Sequence, residues 1–238
     1  MTNNRIYQIW GNLEEGLKTG KPQNETKNGG IPIFEMLYSE EKKLKEFLKA
    51  MAGIQMGNFM MFSKSFDFSS YKTLCDVGGA GGELSTQVAL NNEHMHCISF
   101  DLPKITAVAS ENINSMNLNE KVSALSGDFF NDKLPKADVI TMGNILHDWG
   151  IKDKKMLIQK AYDALPSGGA LVVIENIIDD NRNENAFGLL MSLHMNLETL
   201  EGFDFSSADF DVWAKECGFR ETSKMTLTGP SSAIIAIK

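Results

Sequence analysis

The stretch Leu74-Cys75-Asp76-Val77-Gly78-Gly79-Ala80-Gly81-Gly82 constrains this chain most. It reads as a short apolar strand over 73–77, a glycine-rich turn, and a helix from about residue 83. Glycine serves two ends in such a turn. It takes backbone angles that a Cβ resists, and it leaves bare backbone against which a ligand can press. Strand, glycine turn and helix form the first unit of a nucleotide-binding α/β sheet. The plain alternative is a turn that only joins the two elements.

Spacing narrows the ligand. The dinucleotide pattern G-x-G-x-x-G fails in both frames: counted from Gly79 the last position is Leu84, and counted from Gly78 it is Glu83. A Walker-type phosphate loop is excluded because the turn holds no lysine. What remains is D-x-G-x-A-x-G, led by Asp76. It is similar to the loop that binds S-adenosylmethionine (SAM) in methyltransferases. SAM has no pyrophosphate but does carry an α-amino group, which an acid beside the loop can hold.

At 238 residues the chain can bury one good-sized core. Its 31 acidic and 23 basic residues give a net charge of −8, so a nucleic-acid backbone is a poor partner. No apolar run approaches the ~20 residues that span a bilayer. The start, Met1-Thr2-Asn3-Asn4-Arg5, has no apolar signal segment. The three cysteines, Cys75, Cys97 and Cys217, are widely spaced and odd in number. Two sit inside expected strands as small hydrophobes, and a reducing, cytoplasmic location is the expectation.

The rest of the chain alternates strand and helix. Ile6, Ile9, Trp10, Leu13 and Leu17 predict a helix over 5–18, followed by a loop over 18–31. A long helix is expected over 39–62, with Ser39 as its cap and Glu40 and Glu41 in its first turn. Its methionines Met51, Met56, Met60 and Met61 read as core, or else as lining of a substrate pocket. Strands are expected at 96–100, 122–125, 138–142 and 170–175, with helices at 105–116, 153–165, 185–200 and 206–217. Ser206 with Asp209 offers a capping box. Two last strands, 219–227 and 231–237, are joined across Thr228-Gly229-Pro230 and must be antiparallel. The fold class is therefore α/β: a doubly wound, mostly parallel seven-stranded sheet with a closing antiparallel pair and N-terminal helices.

In such a sheet ligands bind beyond the carboxyl ends of the strands. Asp101 follows the second strand and can accept from both ribose hydroxyls of a nucleoside. Asp128 follows the third, and can accept from an adenine amino group or simply cap a turn. Phe129 beside it can cover the ring or fill the core. After the fourth strand comes Gly143-Asn144-Ile145-Leu146-His147-Asp148-Trp149. His147 at this rim can serve as a general base. Glu175 and Asp204, from neighbouring strand ends, can hold its second ring nitrogen. Asp148 is expected to point elsewhere as a cap. His94 and His96 form an H-x-H pair without further ligands at metal spacing. His194 either packs in the core or faces an acceptor pocket.

Five ordered motifs then resemble one family. They are Asp76–Gly82, Phe100-Asp101-Leu102-Pro103, Gly127-Asp128-Phe129-Phe130, Ile145-Leu146-His147-Asp148-Trp149 and Ala164-Leu165-Pro166-Ser167-Gly168-Gly169. Together they look like the SAM-dependent O-methyltransferases of the caffeic acid and acetylserotonin type, most like a bacterial hydroxyneurosporene O-methyltransferase-like branch. The resemblance implies a Rossmann-like class I methyltransferase with S-adenosylhomocysteine as product. It implies cofactor contacts from Gly78, Asp101, Asp128 and Phe129, and Asp76, Gly79, Gly81, Leu102 and Asn144 are further cofactor-binding candidates. It also implies His147 as base, flanked by the acids Glu175 and Asp204, with no metal.

The implied partner is a small hydroxylated aromatic or polyketide-like acceptor. Gly143 stands where plant members carry a cofactor-touching lysine. Family members also begin with a winged-helix dimerisation domain that this chain mostly lacks. Residues 1–66 are then a remnant of that acceptor-side region and 67–238 the catalytic domain. A homodimer, or a separate partner supplying the missing part, is the matching expectation. Two other readings stay open. One is a metal-dependent, catechol-type enzyme with oxygen ligands from Asn144 or Asp148 and Glu175-Asn176. The other is a non-catalytic SAM-binding partner subunit.

Overall fold

The computed structural model describes residues 3–31 and 40–238. Its centre is a seven-stranded sheet. Strands β1 (Thr73–Val77), β2 (His96–Asp101), β3 (Val122–Ser126), β4 (Val139–Gly143) and β5 (Ala170–Glu175) run parallel. Strand β7 (Ser232–Ile237) lies antiparallel to both β5 and β6 (Glu221–Thr226). The order is β3-β2-β1-β4-β5-β7-β6, so the winding reverses between β1 and β4. A crevice opens at that reversal, beyond the carboxyl ends of the two strands.

The central strands β1, β4 and β5 are buried on both faces, as helical crossovers require. In β5 alternate residues serve opposite layers. Ala170, Val172 and Ile174 meet one cluster. It includes Phe62 of α3 (Glu41–Ser65), Leu84 and Val88 of α4 (Glu83–Asn91), and Ala109 and Ile113 of α5 (Pro103–Ser115). Leu171 and Val173 meet the other cluster, with Leu157 and Ile158 of α6 (Ile151–Ala164) and Phe210 and Trp213 of α8 (Ser207–Glu216). A third cluster places Leu44 and Leu48 of α3 against Ile105 and Val108 of α5, with Ala80 and Leu102 packed on it. That contact seats the first turns of α3 beside the glycine loop.

Several expectations need correction. The helix over 5–18 is two helices, α1 (Asn3–Trp10) and α2 (Leu13–Thr19). The break falls at Gly11-Asn12, two weak helix formers. Both helices pack on α7 (Ala186–Glu198). The loop over 18–31 contains a short 3₁₀ turn, Glu25–Asn28, capped by Asn24. Ser39 lies outside the described residues; Glu40 precedes α3, and its side chain makes no capping bond. The methionines of α3 are not core: Met60 and Met61 are exposed and Met51 and Met56 half-buried. The capping box of α8 is present, with Ser206 and Asp209 bonded reciprocally. Cys75 and Cys97 are free and buried in β1 and β2. His94 and His96 are exposed, and His94 touches the carbonyl of Phe68.

Candidate active site

The glycine loop crosses the crevice from β1. Gly78 adopts φ +71°. A Cβ there would stand 2.3 Å from Ile145 Cδ1 and 4.0 Å from the Phe129 ring. Only glycine meets both demands. The turns after β1, β3 and β4 thus converge at one point. Gly79 lies over Ser99 of β2, and the carbonyl of Gly81 accepts from Asn112 Nδ2 of α5 at 3.0 Å. Asp101 ties the loop to β2: its Oδ2 accepts from Ala80 N at 3.0 Å and its Oδ1 from Leu102 N at 2.7 Å. Burial outweighs these bonds and pushes Asp101 up to about 6.

Asp76 sits beneath the loop rather than on its rim. In register with Ser99 and Thr141, it forms a polar row across β2, β1 and β4. Thr141 Oγ1 donates to Asp76 Oδ1 at 2.6 Å. Burial pushes Asp76 up to about 7 despite that bond. Asp128 caps its own turn, accepting from Phe130 N at 2.8 Å and Asn131 Nδ2 at 2.6 Å. Asn144 takes φ +52°, a conformation that asparagine tolerates better than most residues. Its buried Oδ1 has no partner among the described residues, which fits a site that takes a polar ligand atom.

His147 lies in the 3₁₀ turn Leu146–Asp148 after β4 and is buried. Its Nδ1 is 3.6 Å from Glu175 Oε2 at the end of β5 and 3.7 Å from Asp204 Oδ1 ahead of α8. The expected trio is therefore brought together. Asp148 does not cap the following helix. Its Oδ1 lies 3.5 Å from His147 Nε2, so acids stand on both sides of the ring. Burial by itself would lower the imidazole. Glu175, Asp148 and Asp204 together push it up to about 10. Burial in turn raises Glu175 to about 7, against the pull of His147. The set makes the imidazole a strong proton acceptor and stabilises the imidazolium it becomes.

Two close contacts fix this geometry. Glu175 Oε1 accepts from the backbone N of His147 at 3.3 Å. A Cβ on Gly202 would meet the carbonyls of His147 and Asp148 at 2.7 and 2.8 Å, so glycine lets the Asp204 loop close on the His147 turn. A cleft of about 550 Å³ adjoins that loop, bounded by Leu17, Leu189, Ser192, Asn196 and Phe203. His194 of α7 is half-buried and parallel to Trp10 at 6.3 Å, with its Nδ1 unpartnered.

Sequence reasoning passed over three residues. Trp149 packs edge-on to Phe130 at 4.5 Å and Phe129 at 6.2 Å, and its buried Nε1 has no partner among the described residues. Lys160 Nζ donates to the carbonyls of Phe129 and Phe130. Lys154 is fully buried. Its position was the available signal: it falls on the same helical stripe as Leu157, Ile158 and Ala161, where a charge is out of place.

The reversed winding, the glycine loop at its switch point and the acid at the end of β2 define a class I methyltransferase fold. The chain belongs to the O-methyltransferase domain family, whose model matches residues 10–220. The chain is 32% identical to a tetracenomycin polyketide synthesis 8-O-methyl transferase of Streptomyces glaucescens, over 100% of this chain and 69% of that protein. It is 29% identical to the acetylserotonin O-methyltransferase of Bos taurus, over 98% of this chain and 67% of that protein. The crystal structure of human N-acetylserotonin methyltransferase in complex with SAM matches with a TM-score of 0.88 and 27% identity, covering 98% of this chain and 67% of that one. The chain thus spans about two thirds of the length of these relatives. It is a SAM-dependent O-methyltransferase domain. Among the described residues no helix is long and apolar enough to cross a membrane.

Proposed function

We propose that this chain methylates a hydroxyl of a small aromatic or polyketide-like acceptor, with His147 as general base. The observation that carries the reading is the buried imidazole held among Glu175, Asp204 and Asp148 at the rim of the crevice. SAM, when bound, supplies an electrophilic sulfonium methyl group and leaves as S-adenosylhomocysteine. Gly78, Gly79 and Gly81 offer it bare backbone, with Asp76 beneath them. Asp101 and Leu102 face its ribose end, Asp128 and Phe129 its adenine end, and Asn144 an inner polar atom. The free Oδ1 of Asn144 supports this assignment.

His147 takes the acceptor's hydroxyl proton at Nε2, and the acceptor displaces Asp148 from that side. Glu175 and Asp204 hold the ring from Nδ1 and stabilise the positive charge. The protein's contribution is mainly positioning and desolvation. Residues 1–66 form the acceptor-side segment and 67–238 the catalytic domain. A homodimer or partner chain completes the acceptor side; Phe187 and Leu190 stand half-exposed on α7.

The acceptor class rests on the relatives' names: one acts in tetracenomycin polyketide synthesis and others on acetylserotonin. A second reading has a specific observation behind it. His147, Glu175 and Asp204 present one ligand atom each within 4.8 Å of one another, a spacing that suits a cation. The deciding experiment is transfer of tritiated methyl from SAM to N-acetylserotonin and to a set of hydroxynaphthalenes, with and without EDTA. Transfer indifferent to EDTA supports the base mechanism. Transfer lost with EDTA and restored by Mg²⁺ replaces it with the metal reading. SAM binding without transfer to any acceptor favours a non-catalytic subunit.

A further inference from the structure

Lys154 has no role in the chemistry described so far, yet it is fully buried on the inner stripe of α6. Its Nζ donates to the carbonyl of Trp149 and, at 3.0 Å, to that of Phe203. It also stands 3.6 Å from the centre of the Phe203 ring. Trp149 directly follows His147-Asp148, and Phe203 directly precedes Asp204. One ammonium therefore joins the backbone segment that carries the base to the segment that carries one of its acids.

The charges around it are those around the imidazole. Glu175 at the end of β5, Asp204 in the loop ahead of α8 and Asp148 in the 3₁₀ turn act on it electrostatically. In the next ring, Glu198 of α7 acts on Asp148 and on His194. Arg5 of α1 pairs with Glu198 and with Glu25. Glu175, Asp148 and Asp204 thus face two cations, His147 when protonated and Lys154. Without the ammonium all three would bear on the imidazole alone.

We propose that Lys154 is a positioning residue for methyl transfer: it pins the His147 turn to the Asp204 loop, and its charge offsets Glu175, Asp148 and Asp204 so that they hold the His147 proton less tightly. The inference rests on the reading of His147 as general base. Burial brings Lys154 down to about 8 against the pull of the three acids. The counter-charge is therefore lost in mildly alkaline solution, and the grip of the acids on His147 tightens there.

The test is a histidine titration by NMR on the full chain, which needs no acceptor. The chain has four histidines, and His147→Gln assigns the signal of interest. Lys154→Met removes the charge and the donors. Lys154→Gln removes the charge and keeps donors. Lys154→Arg keeps the charge. The His147 midpoint should fall by about one pH unit or more in the Arg variant, whose charge persists where His147 titrates, and stay near that of the parent in the Met and Gln variants, because Lys154 is itself neutral there. The SAM-induced thermal shift should be unchanged in all three.

A midpoint in a folded Arg variant equal to that of the parent overturns the proposal. If the Arg variant does not fold, labelled lysine in the unmodified chain decides. One lysine should titrate near 8, with a matching step in the His147 signal. Lysines that all titrate near about 10.4, with no such step, overturn it. Failure of His147 as base shows separately, as methyl transfer that survives His147→Gln.

Discussion

Thr141 Oγ1 donates a 2.6 Å hydrogen bond to Asp76 Oδ1 in a buried row beneath the glycine loop. The bond favours the carboxylate, but burial opposes it more strongly and Asp76 rises to about 7. Glu175 and Asp101 are raised for the same reason, to about 7 and about 6. Each is raised above its unfolded value. Their contribution to stability is therefore complete below the unfolded carboxylate range and is lost as pH rises through 6 to 7. The melting temperature of the SAM-free chain should fall between about pH 5 and about pH 8. Asp76→Asn, which keeps an acceptor for Thr141 and carries no charge, should flatten that fall and melt higher than the parent at the alkaline end. Equal destabilisation at both ends would show that Asp76 is not held against desolvation.

Gly78 sets the floor of the crevice. Gly78→Ala combines a strained φ of +71° with a Cβ at 2.3 Å from Ile145 Cδ1. Strain of this kind costs about 1–3 kcal/mol, and the side-chain overlap adds to it. Chemical denaturation should show a loss of at least that size. Adding Ile145→Ala should recover the overlap part and leave the backbone part. Full recovery would mean that the left-handed conformation carries no cost.

Asp101 is the proposed ribose ligand, and its carboxylate already holds Ala80 and Leu102 through their backbone N–H groups. At a SAM concentration 100-fold above Kd, linkage predicts about 2.7 kcal/mol of stabilisation. For a domain of this size that is a rise of about 5–10 °C in melting temperature. The rise should be absent with NAD and lost in Asp101→Ala. A full shift in Asp101→Ala would remove Asp101 from the cofactor site.

What the sequence shows and what it hides follow from the range of the interactions. Strand β1, strand β5 and the capping box of α8 were legible because each is written in a few contiguous residues. His147 and Glu175 were legible because parallel strands deliver their carboxyl ends to one rim, and Asp204, ahead of α8, because it is an acid just before the Ser206 cap; a resemblance over five motifs pointed to the same residues. The Asp148 contact was not, because a 3₁₀ turn, rather than the expected helix cap, swings its carboxylate beside Nε2. The place of Lys154 on the apolar stripe of α6 was readable, but its role was not, because one of its two partners, the carbonyl of Phe203, lies 49 residues further along the chain. The split at Gly11-Asn12 was missed because apolar periodicity runs through it, although glycine and asparagine are weak helix formers. The loop motif reads Asp76 as an acid beside the loop, and the sheet register buries it beneath the loop next to Thr141.

The most direct test of the account is a paired measurement on His147→Gln: SAM affinity by calorimetry, and the rate of tritiated methyl transfer to whichever hydroxynaphthalene or N-acetylserotonin acceptor the parent uses. SAM affinity should stay within about threefold of the parent, while transfer falls by about 10²-fold or more, the usual contribution of a positioned general base. In the parent, kcat/KM should keep rising with pH above neutrality, because the acids raise His147 to about 10 and the base acts only when deprotonated. Transfer within a few-fold of the parent in His147→Gln, at unchanged SAM affinity, would contradict the assignment of His147 as base.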